Sequence, residues 1–312
     1  MKAQKSNRID PGGRLPTLKF ICPLVNFQVS CPLRDPEMTD EEWEDYLRGL
    51  DVDLLFGLDL SDEVVLRRFL KDDFEGLNTS FLTNPLSIFS SAEFALEKRV
   101  GVEDESDLET IRFGVEKALR NVVLTLRLLK EGCFSADSMI CFLVVLAEKN
   151  KLKYWTWFER RKSCSQQLIY SFSFEEVPAT NRLLKKIQGA NFERSESLNL
   201  ACKKFQRASE EDDLKNQIVY LLSAFETLLK NKKETNNLKA EIADEYSQLP
   251  IKKEESQEMR SVLNEAYRIR NQMVNGFWSE QSEKDLDYVL DVISRTRDYL
   301  RLAIKRILQD SS

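Results

Sequence analysis

The sequence contains no histidine among its 312 residues. Histidine is the side chain that ordinarily exchanges a proton near neutral pH, so acid–base chemistry in this protein would need other groups. A zinc site would have to use cysteine and carboxylate ligands alone. No two cysteines form a C-x-x-C pair or a metal-ligand spacing; they are Cys22, Cys31, Cys133, Cys141, Cys164 and Cys202. We therefore predict no metal, no cofactor, and free thiols in a reducing cytoplasm.

Other signatures of function and targeting are also missing. The sequence has no P-loop, no dinucleotide-binding fingerprint and no nucleophile elbow. The first residues, MKAQKSNRIDPGGRLP, have no apolar core, so they predict neither a signal peptide nor a membrane anchor. The longest apolar run, MICFLVVLA at 139–147, is too short to span a bilayer. A net charge of −6 argues against a generally basic nucleic-acid coat but is compatible with a local basic site.

The length predicts two domains, and the first, residues 1–190, has α+β character. TLKFICPLVNFQV (17–29) and VDLLFGLDL (52–60) are predicted strands, and QLIYSFSFEE alternates as a half-buried strand should. MICFLVVLA is either a buried strand or a buried helical turn. Capping boxes at Thr39–Glu42 and Ser106–Glu109 begin two helices, the second of which ends at Gly132.

Residues 191–312 show helical periodicity only, which predicts a bundle of five helices with short links. The first helix has its apolar face at 198–208, and the second covers 214–229 behind Asp212 and Asp213, which we interpret as N-cap and dipole partners. The third is NLKAEIADEYSQL (237–249). The fourth covers about 252–275, and the last begins at Ser282.

The fourth predicted helix ends in the segment AYRIRNQMVNGFW (266–278). On spacing alone, Asn275 and Gly276 form an ordinary helix stop, because both residues tolerate the left-handed conformation. Arg270 in the final turns is favoured by the helix dipole. Nothing in this interpretation requires chemistry.

The surrounding pattern adds a second interpretation. A helix with LLSAFETLL, a charged linker and then LNEAYRIRNQMVNG resembles the HEPN superfamily of ribonucleases and RNA-associated proteins, specifically its ApeA-like branch. In that branch one helix carries a glutamate in an apolar setting, here Glu226. A later helix ends in arginine, a polar residue, three more residues, histidine and glycine. Arg270, Asn271 and Gly276 match this motif, and Asn275 stands where the family has histidine. The resemblance covers roughly residues 192–312 and implies a HEPN-like helical bundle.

The resemblance implies a metal-independent RNA-cleaving site formed by two protomers that face each other in a homodimer. In such a reaction the ribose 2′-hydroxyl attacks the adjacent phosphate, so a base must take its proton while a cation stabilises the negative charge. A guanidinium suits the second role because it is always charged and fits phosphate oxygens. Asparagine can hold a hydrogen bond but cannot exchange a proton. The candidate catalytic residues are Arg270, Asn271 and Asn275, and the supporting ones are Glu226, Tyr267 and Gly276.

Two explanations fit the presence of Asn275 where the family has histidine. A histidine was replaced deliberately to silence a toxic nuclease, or the chain is a natural non-catalytic member that binds or dimerises. We prefer the first because Arg270, Asn271 and Gly276 are otherwise intact. In both accounts the chain as written is expected to be catalytically dead.

Further candidates for RNA binding lie outside the motif. KLKYWTWFERRK (151–162) interleaves Trp155 and Trp157 with basic residues, a texture that can stack on and neutralise nucleic acid. The favoured alternative is a half-buried strand with both tryptophans packed on one face. Arg268, Arg297 and Arg301 are candidates for an RNA groove beside Arg270, although most basic residues of the last helix are expected to form its solvated face.

The resemblance leads us to expect a cytoplasmic endoribonuclease that acts as a toxin or an anti-phage defence effector on an RNA substrate. The N-terminal domain would sense a trigger or restrain the nuclease, by binding a trigger or inhibitor protein. One alternative is a non-enzymatic module for dimerisation or partner binding. Another is an RNA-binding protein that works through 151–162. Glu226, on or near an apolar stripe, is expected to pair with an arginine of the fourth helix.

Overall fold

The computed structural model describes residues 17–30, 58–60, 63–70, 92–101, 108–132, 140–144, 169–229, 253–277 and 283–310, with a few single residues between them. The described residues divide into two compact units. The first lies within 17–123, 132–144 and 169–181, and the second within 124–131 and 182–310. The division after Asn181 therefore lies nine residues before the boundary that the sequence predicted after residue 190. The second unit also includes a short segment from the first half of the chain, Leu124–Glu131.

The first unit is rich in strands. Its described strands are β1 (Thr17–Val25), β2 (Phe27–Ser30), β3 (Leu58–Asp59), β4 (Val64–Arg68), β5 (Ala92–Gly101), β6 (Ile140–Val144) and β7 (Tyr170–Ser173). Five of them form an antiparallel sheet in the order β3-β4-β5-β1-β6, and β2 pairs with β7 in parallel. MICFLVVLA thus contributes a strand, which settles the alternative that the sequence left open.

The strand predicted at 17–29 is confirmed, with one interruption. Asn26 has a φ of 62° and separates β1 from β2; asparagine tolerates this left-handed conformation better than most residues. Of the strand predicted at 52–60, Leu58 and Asp59 form β3, and 52–57 lie outside the described residues. The alternation predicted for β7 is confirmed, since Tyr170 and Phe172 are fully buried.

Two central strands, β4 and β5, were not predicted, and β5 carries three consecutive charged residues, Glu97 to Arg99. Glu97 is 2% exposed. Its Oε2 lies 2.5 Å from Nε of Arg67 and 3.4 Å from Nζ of Lys19, and its Oε1 lies 2.6 Å from Nε of Arg99. The sheet therefore accommodates a buried carboxylate by surrounding it with cations.

The predicted helix of the first half is confirmed as α1 (Leu108–Leu129). Its buried residues include Val115, Leu119, Val122 and Leu126, which are three or four residues apart and share one helical face. The capping box predicted at Thr39–Glu42 is present: the Thr39 backbone N–H donates to Glu42 Oε2 at 2.8 Å, and the Glu42 backbone N–H donates to Thr39 Oγ1 at 3.3 Å. Ser106 lies outside the described residues.

The second unit is predominantly helical. After a 3₁₀ turn at Phe174–Glu176, its helices follow in order: α2 (Val177–Gln188), α3 (Ala190–Arg194), α4 (Glu196–Glu210), α5 (Leu214–Leu229), α6 (Lys253–Val274) and α7 (Glu283–Asp310). The division between the units falls inside α2, after Asn181. The helix predicted at 237–249 and the cap at Ser282 lie outside the described residues.

The apolar face predicted at 198–208 is confirmed, and it meets a buried face of α6 in one core. On α4 the buried residues are Leu198, Ala201, Cys202, Phe205 and Ala208; on α6 they are Met259, Val262, Leu263, Ala266, Ile269 and Met273. Burial raises the pKa of the Cys202 thiol to about 12, which keeps it protonated and unreactive. At the start of α5 the Asn216 backbone N–H donates to Asp213 Oδ1 at 2.9 Å, so the predicted N-cap is confirmed.

Candidate functional site

The C-terminal end of α6 positions the motif residues, and its backbone geometry is that of a Schellman cap. Gly276 has a φ of 73°, and its N–H donates to the Met273 carbonyl at 3.4 Å. The Phe277 N–H donates to the Gln272 carbonyl at 2.9 Å. The left-handed φ favours glycine here, and crowding does not, since no atom lies within 4 Å of a Cβ built on Gly276.

Asn275 still belongs to the helical hydrogen-bond pattern. Its N–H donates to the Asn271 carbonyl at 3.1 Å. The non-glycine residues with positive φ in the described part of the chain are Asn26 and Glu63, so Asn275 itself does not adopt the left-handed conformation. Its side chain is exposed. The cap therefore accounts for Gly276 and leaves the Asn275 amide available to solvent or to a ligand.

Arg270 lies one turn earlier and is partly buried. Its Nη1 donates to Oδ1 of the neighbouring Asn271 at 3.2 Å. Among the described residues this is the one hydrogen bond of the Arg270 side chain, and Arg270 forms no ion pair with any of them. A guanidinium has five N–H donors, so this contact leaves most of its capacity for a ligand. The arginine–asparagine pair thus presents positive charge that no described carboxylate neutralises.

Glu226 on α5 accepts a hydrogen bond from the phenol of Tyr267 on α6, with an O–O distance of 3.1 Å. The expectation that an arginine of this helix would be its partner is wrong, because the tyrosine of the same helix reaches the carboxylate instead. Burial, followed by the Glu226 charge and hydrogen bond, raises the pKa of Tyr267, and the charge of Arg270 acts in the opposite direction. Tyr267 is therefore a neutral donor at physiological pH, within electrostatic reach of Arg270.

Arg268, a candidate for RNA binding, is exposed but already neutralised. Its Nε donates to Glu265 Oε1 at 2.9 Å and to Oε2 at 3.0 Å, and its Nη2 also contacts Oε1. The hydrogen bond to Glu265 is the main cause of the raised pKa of Arg268. A phosphate would have to displace this carboxylate, so Arg268 is a weaker candidate than Arg270.

The expectation that Arg301 lines an open RNA groove is wrong, because the residue is 7% exposed. Its Nε donates to the Arg127 carbonyl at 3.0 Å, and its Nη1 pairs with Asp298. Arg301 thus serves the end of α1 that belongs to the second unit. Such a contact stabilises a helix C-terminus, where carbonyl groups lack helical partners.

Arg297 is also directed into the second unit. Its Nη2 donates to Gln217 Oε1 at 2.9 Å, and its Nε is buried without a hydrogen bond in the described part of the chain. Burial, followed by the charge of Arg301, lowers the pKa of Arg297 to about 10. Arg297 therefore does not line the surface groove that was predicted for it. Trp155 and Trp157 lie outside the described residues.

One residue beside the motif had no predicted role. Phe277, directly after Gly276, is 81% exposed, and Val274 is 44% exposed. The signal in the sequence was an aromatic residue directly after the glycine that ends the motif. Its exposure could not be predicted, since an apolar residue at this position of a Schellman cap usually packs back on the helix.

Among the described residues, no group of three or more cysteine, histidine, aspartate and glutamate residues could hold a metal ion. None of the helices that the structure describes is long and apolar enough to cross a membrane. Comparisons with protein-family models, with curated proteins and with solved structures gave no significant match. The likeness to the HEPN superfamily therefore rests on the motif residues and on the order of the helices.

Proposed function

We propose that the second unit is an RNA-binding scaffold of HEPN type, related to metal-independent endoribonucleases that act as toxins or anti-phage effectors. The observation that carries this proposal is Arg270, whose guanidinium contacts Asn271 and no described carboxylate. A guanidinium in this state binds phosphate oxygens through charge-assisted hydrogen bonds. The order of α5, with Glu226, and α6, with the motif, supports the relationship.

In an active protein of this type, RNA would be cleaved by its own ribose. The 2′-oxygen forms a bond to phosphorus while its proton passes to a base. The bond from phosphorus to the 5′-oxygen breaks, and the leaving 5′-oxygen takes a proton from water or from the protonated base. Arg270 would stabilise the charge that accumulates on the phosphate oxygens. Asn275 cannot accept the proton, so the chain as written would bind RNA without turnover. A two-fold homodimer would bring two copies of the site together.

The N-terminal unit would regulate this site in the proposed arrangement. It would bind a trigger or inhibitor protein, and the whole protein would act in the cytoplasm. Its strands and the helical second unit are separate compact units, as expected for a regulatory module joined to an effector.

A second candidate function is a non-catalytic module for dimerisation or partner binding. It is favoured by the Schellman cap, which explains Gly276 through its φ of 73° without reference to catalysis. In this account Asn275 is the natural residue at an exposed helix end.

Restoring the missing proton carrier separates the two candidates. Asn275→His should produce RNA cleavage with 2′,3′-cyclic phosphate ends, and the activity should persist in EDTA. The gain should be about a hundredfold to ten-thousandfold, the usual contribution of a positioned acid–base group. The double variant Asn275→His with Arg270→Ala should be inert, which controls for a contaminating nuclease. A revertant that dimerises and binds RNA but cuts nothing, in vitro or in cells, would leave only the binding module.

A further inference from the structure

Phe277 is the most exposed large hydrophobic side chain in the described part of the protein, at 81%. Its backbone is nonetheless held in place, because its N–H donates to the Gln272 carbonyl at 2.9 Å. The preceding Gly276 fixes the turn with its φ of 73°. A defined backbone thus presents an aromatic ring to solvent.

This exposure departs from the usual packing at such a helix end. The residue after the cap glycine in a Schellman motif commonly contacts the side chain near the last helical turns. Gln272 occupies that helical position and is only partly buried. The hydrogen bonds of the cap are present without the apolar contact, so the fold makes no use of the ring among the described residues.

The motif cation Arg270 belongs to the same helix end as Phe277. Phe277 lies beyond the last helical residue, but its N–H is bonded to the carbonyl of Gln272, only two residues after Arg270. The backbones of Arg270 and Phe277 therefore lie within roughly 10 Å of each other. Between them lie the exposed Val274 and Asn275. A cation that binds phosphate and a ring that can stack are therefore presented together.

We propose that Phe277 stacks on a nucleobase of single-stranded RNA next to the phosphate bound by Arg270. This inference rests on the proposed function and names the form of the substrate: an unpaired nucleotide whose base is unstacked from its neighbours. Aromatic stacking tolerates every base, since each has a π-face. The contact would select single-stranded over double-helical RNA without selecting a sequence.

The polar surroundings favour RNA over a second copy of the chain as the occupant. Interface cores between proteins are apolar and depleted of charge. Phe277 has Arg270, Asn271 and Asn275 around the same helix end, and Val274 is the one exposed aliphatic residue there among those described. A ligand that combines flat bases with negative charge fits this composition.

The test measures binding of a labelled oligouridine RNA and of an abasic strand of equal length to the full chain. Phe277→Ala and Phe277→Leu should both weaken binding of oligouridine about 5- to 100-fold, and Phe277→Trp should retain it. Leucine keeps the apolar character but removes the π-face. The abasic strand should bind all four proteins equally and weakly. Phe113→Ala is the matched control, because Phe113 is an exposed phenylalanine, at 58%, in the first unit.

Three outcomes would overturn the inference or its premise. If Phe277→Ala binds RNA with unchanged affinity while Arg270→Ala binds it more weakly, Phe277 does not stack on a base, and the proposed function stands. Unchanged affinity in Arg270→Ala would remove the proposed function itself. A loss of dimer in Phe277→Ala that accounts for the lost RNA binding, measured by light scattering at the same concentrations, would assign Phe277 to a contact between copies.

Discussion

In the first unit the carboxylate of Glu97 is surrounded by cations, whereas in the second unit the guanidinium of Arg270 lies beside no described carboxylate. Glu97 is 2% exposed and is contacted by Arg67, Arg99 and Lys19. Arg270 is partly buried and contacts the neutral amide of Asn271. One charge is enclosed and compensated, and the other is accessible and uncompensated.

The difference in burial and pairing distinguishes a charge that stabilises the fold, on Glu97, from a charge that can bind a ligand, on Arg270. A buried charge without a partner costs several kcal/mol, so the fold must supply partners for Glu97. A charge with access to water has no such requirement, and Arg270 therefore needs no carboxylate to be tolerated. An accessible guanidinium with unused donors is what an anionic ligand requires.

The largest effect is expected when the enclosed charge is removed. Glu97→Gln removes the buried negative charge that the cations of Arg67, Arg99 and Lys19 contact, so the sheet should be destabilised by about 3–5 kcal/mol. Hydrogen exchange of the amides in β1, β4 and β5 measures this locally. Glu63→Gln is the matched control, since Glu63 pairs with Lys98 at 3.8 Å but its side chain is 81% exposed; the expected loss is less than about 1 kcal/mol. Equal losses in the two variants would contradict the comparison.

The pH dependence sharpens the same test. Burial raises the pKa of Glu97, but the charges of Arg67 and Lys19 and the hydrogen bonds from Arg99 and Arg67 outweigh it and lower the pKa below the ordinary 4.5. A depressed folded pKa means that the stabilisation is fully present above pH 4.5 and is lost as the pH falls through the folded value. The difference in free energy of unfolding between the wild-type protein and Glu97→Gln should therefore shrink as the pH falls through the folded pKa of Glu97, below 4.5. Urea titrations of both proteins at a series of pH values measure this difference.

The sequence predicted the helical unit better than the sheet, for a physical reason. Helical faces at 198–208 and 259–273 repeat with one period and all face one core, so burial follows directly from spacing. β5 escaped prediction because AEFALEKRVG is buried on both faces and places charged residues where strands usually carry apolar ones. Its stability depends on partners from β1 and β4, which are distant in the sequence.

The candidate site was predictable in its residues but not in its contacts. The spacing from Arg270 to Gly276 was visible in the sequence, and the helix end is where it was expected. The partner of Glu226 and the enclosed positions of Arg297 and Arg301 depend on how α5, α6 and α7 rotate against each other. Such rotations are decided by packing of the whole core, which a single helical pattern does not specify.

A smaller effect is expected from the pair that links α5 and α6. Tyr267→Phe removes the donor to Glu226 and leaves a partly buried carboxylate without its described partner. The expected loss in the free energy of unfolding is about 1–3 kcal/mol, measured by urea titration at pH 7. Glu226→Gln keeps an acceptor for the phenol, so it should cost less. A larger loss in Glu226→Gln than in Tyr267→Phe would show that the carboxylate has another essential role.

The smallest effect on stability is expected at Arg270, where the effect on binding should be clear. Arg270→Ala removes no described ion pair, so the free energy of unfolding should change by less than about 0.5 kcal/mol. RNA affinity should fall about 10- to 100-fold, as expected for the loss of a charge-assisted hydrogen bond to phosphate. The slope of log affinity against log salt should decrease by about one unit, since one fewer phosphate is neutralised.

Arg268→Ala is the matched control on the same helix, because Glu265 already neutralises Arg268 and its removal should change the affinity little. If the two arginine variants lose affinity and salt dependence equally, general positive charge rather than the uncompensated guanidinium of Arg270 binds the RNA, and the contrast with Glu97 loses its functional meaning.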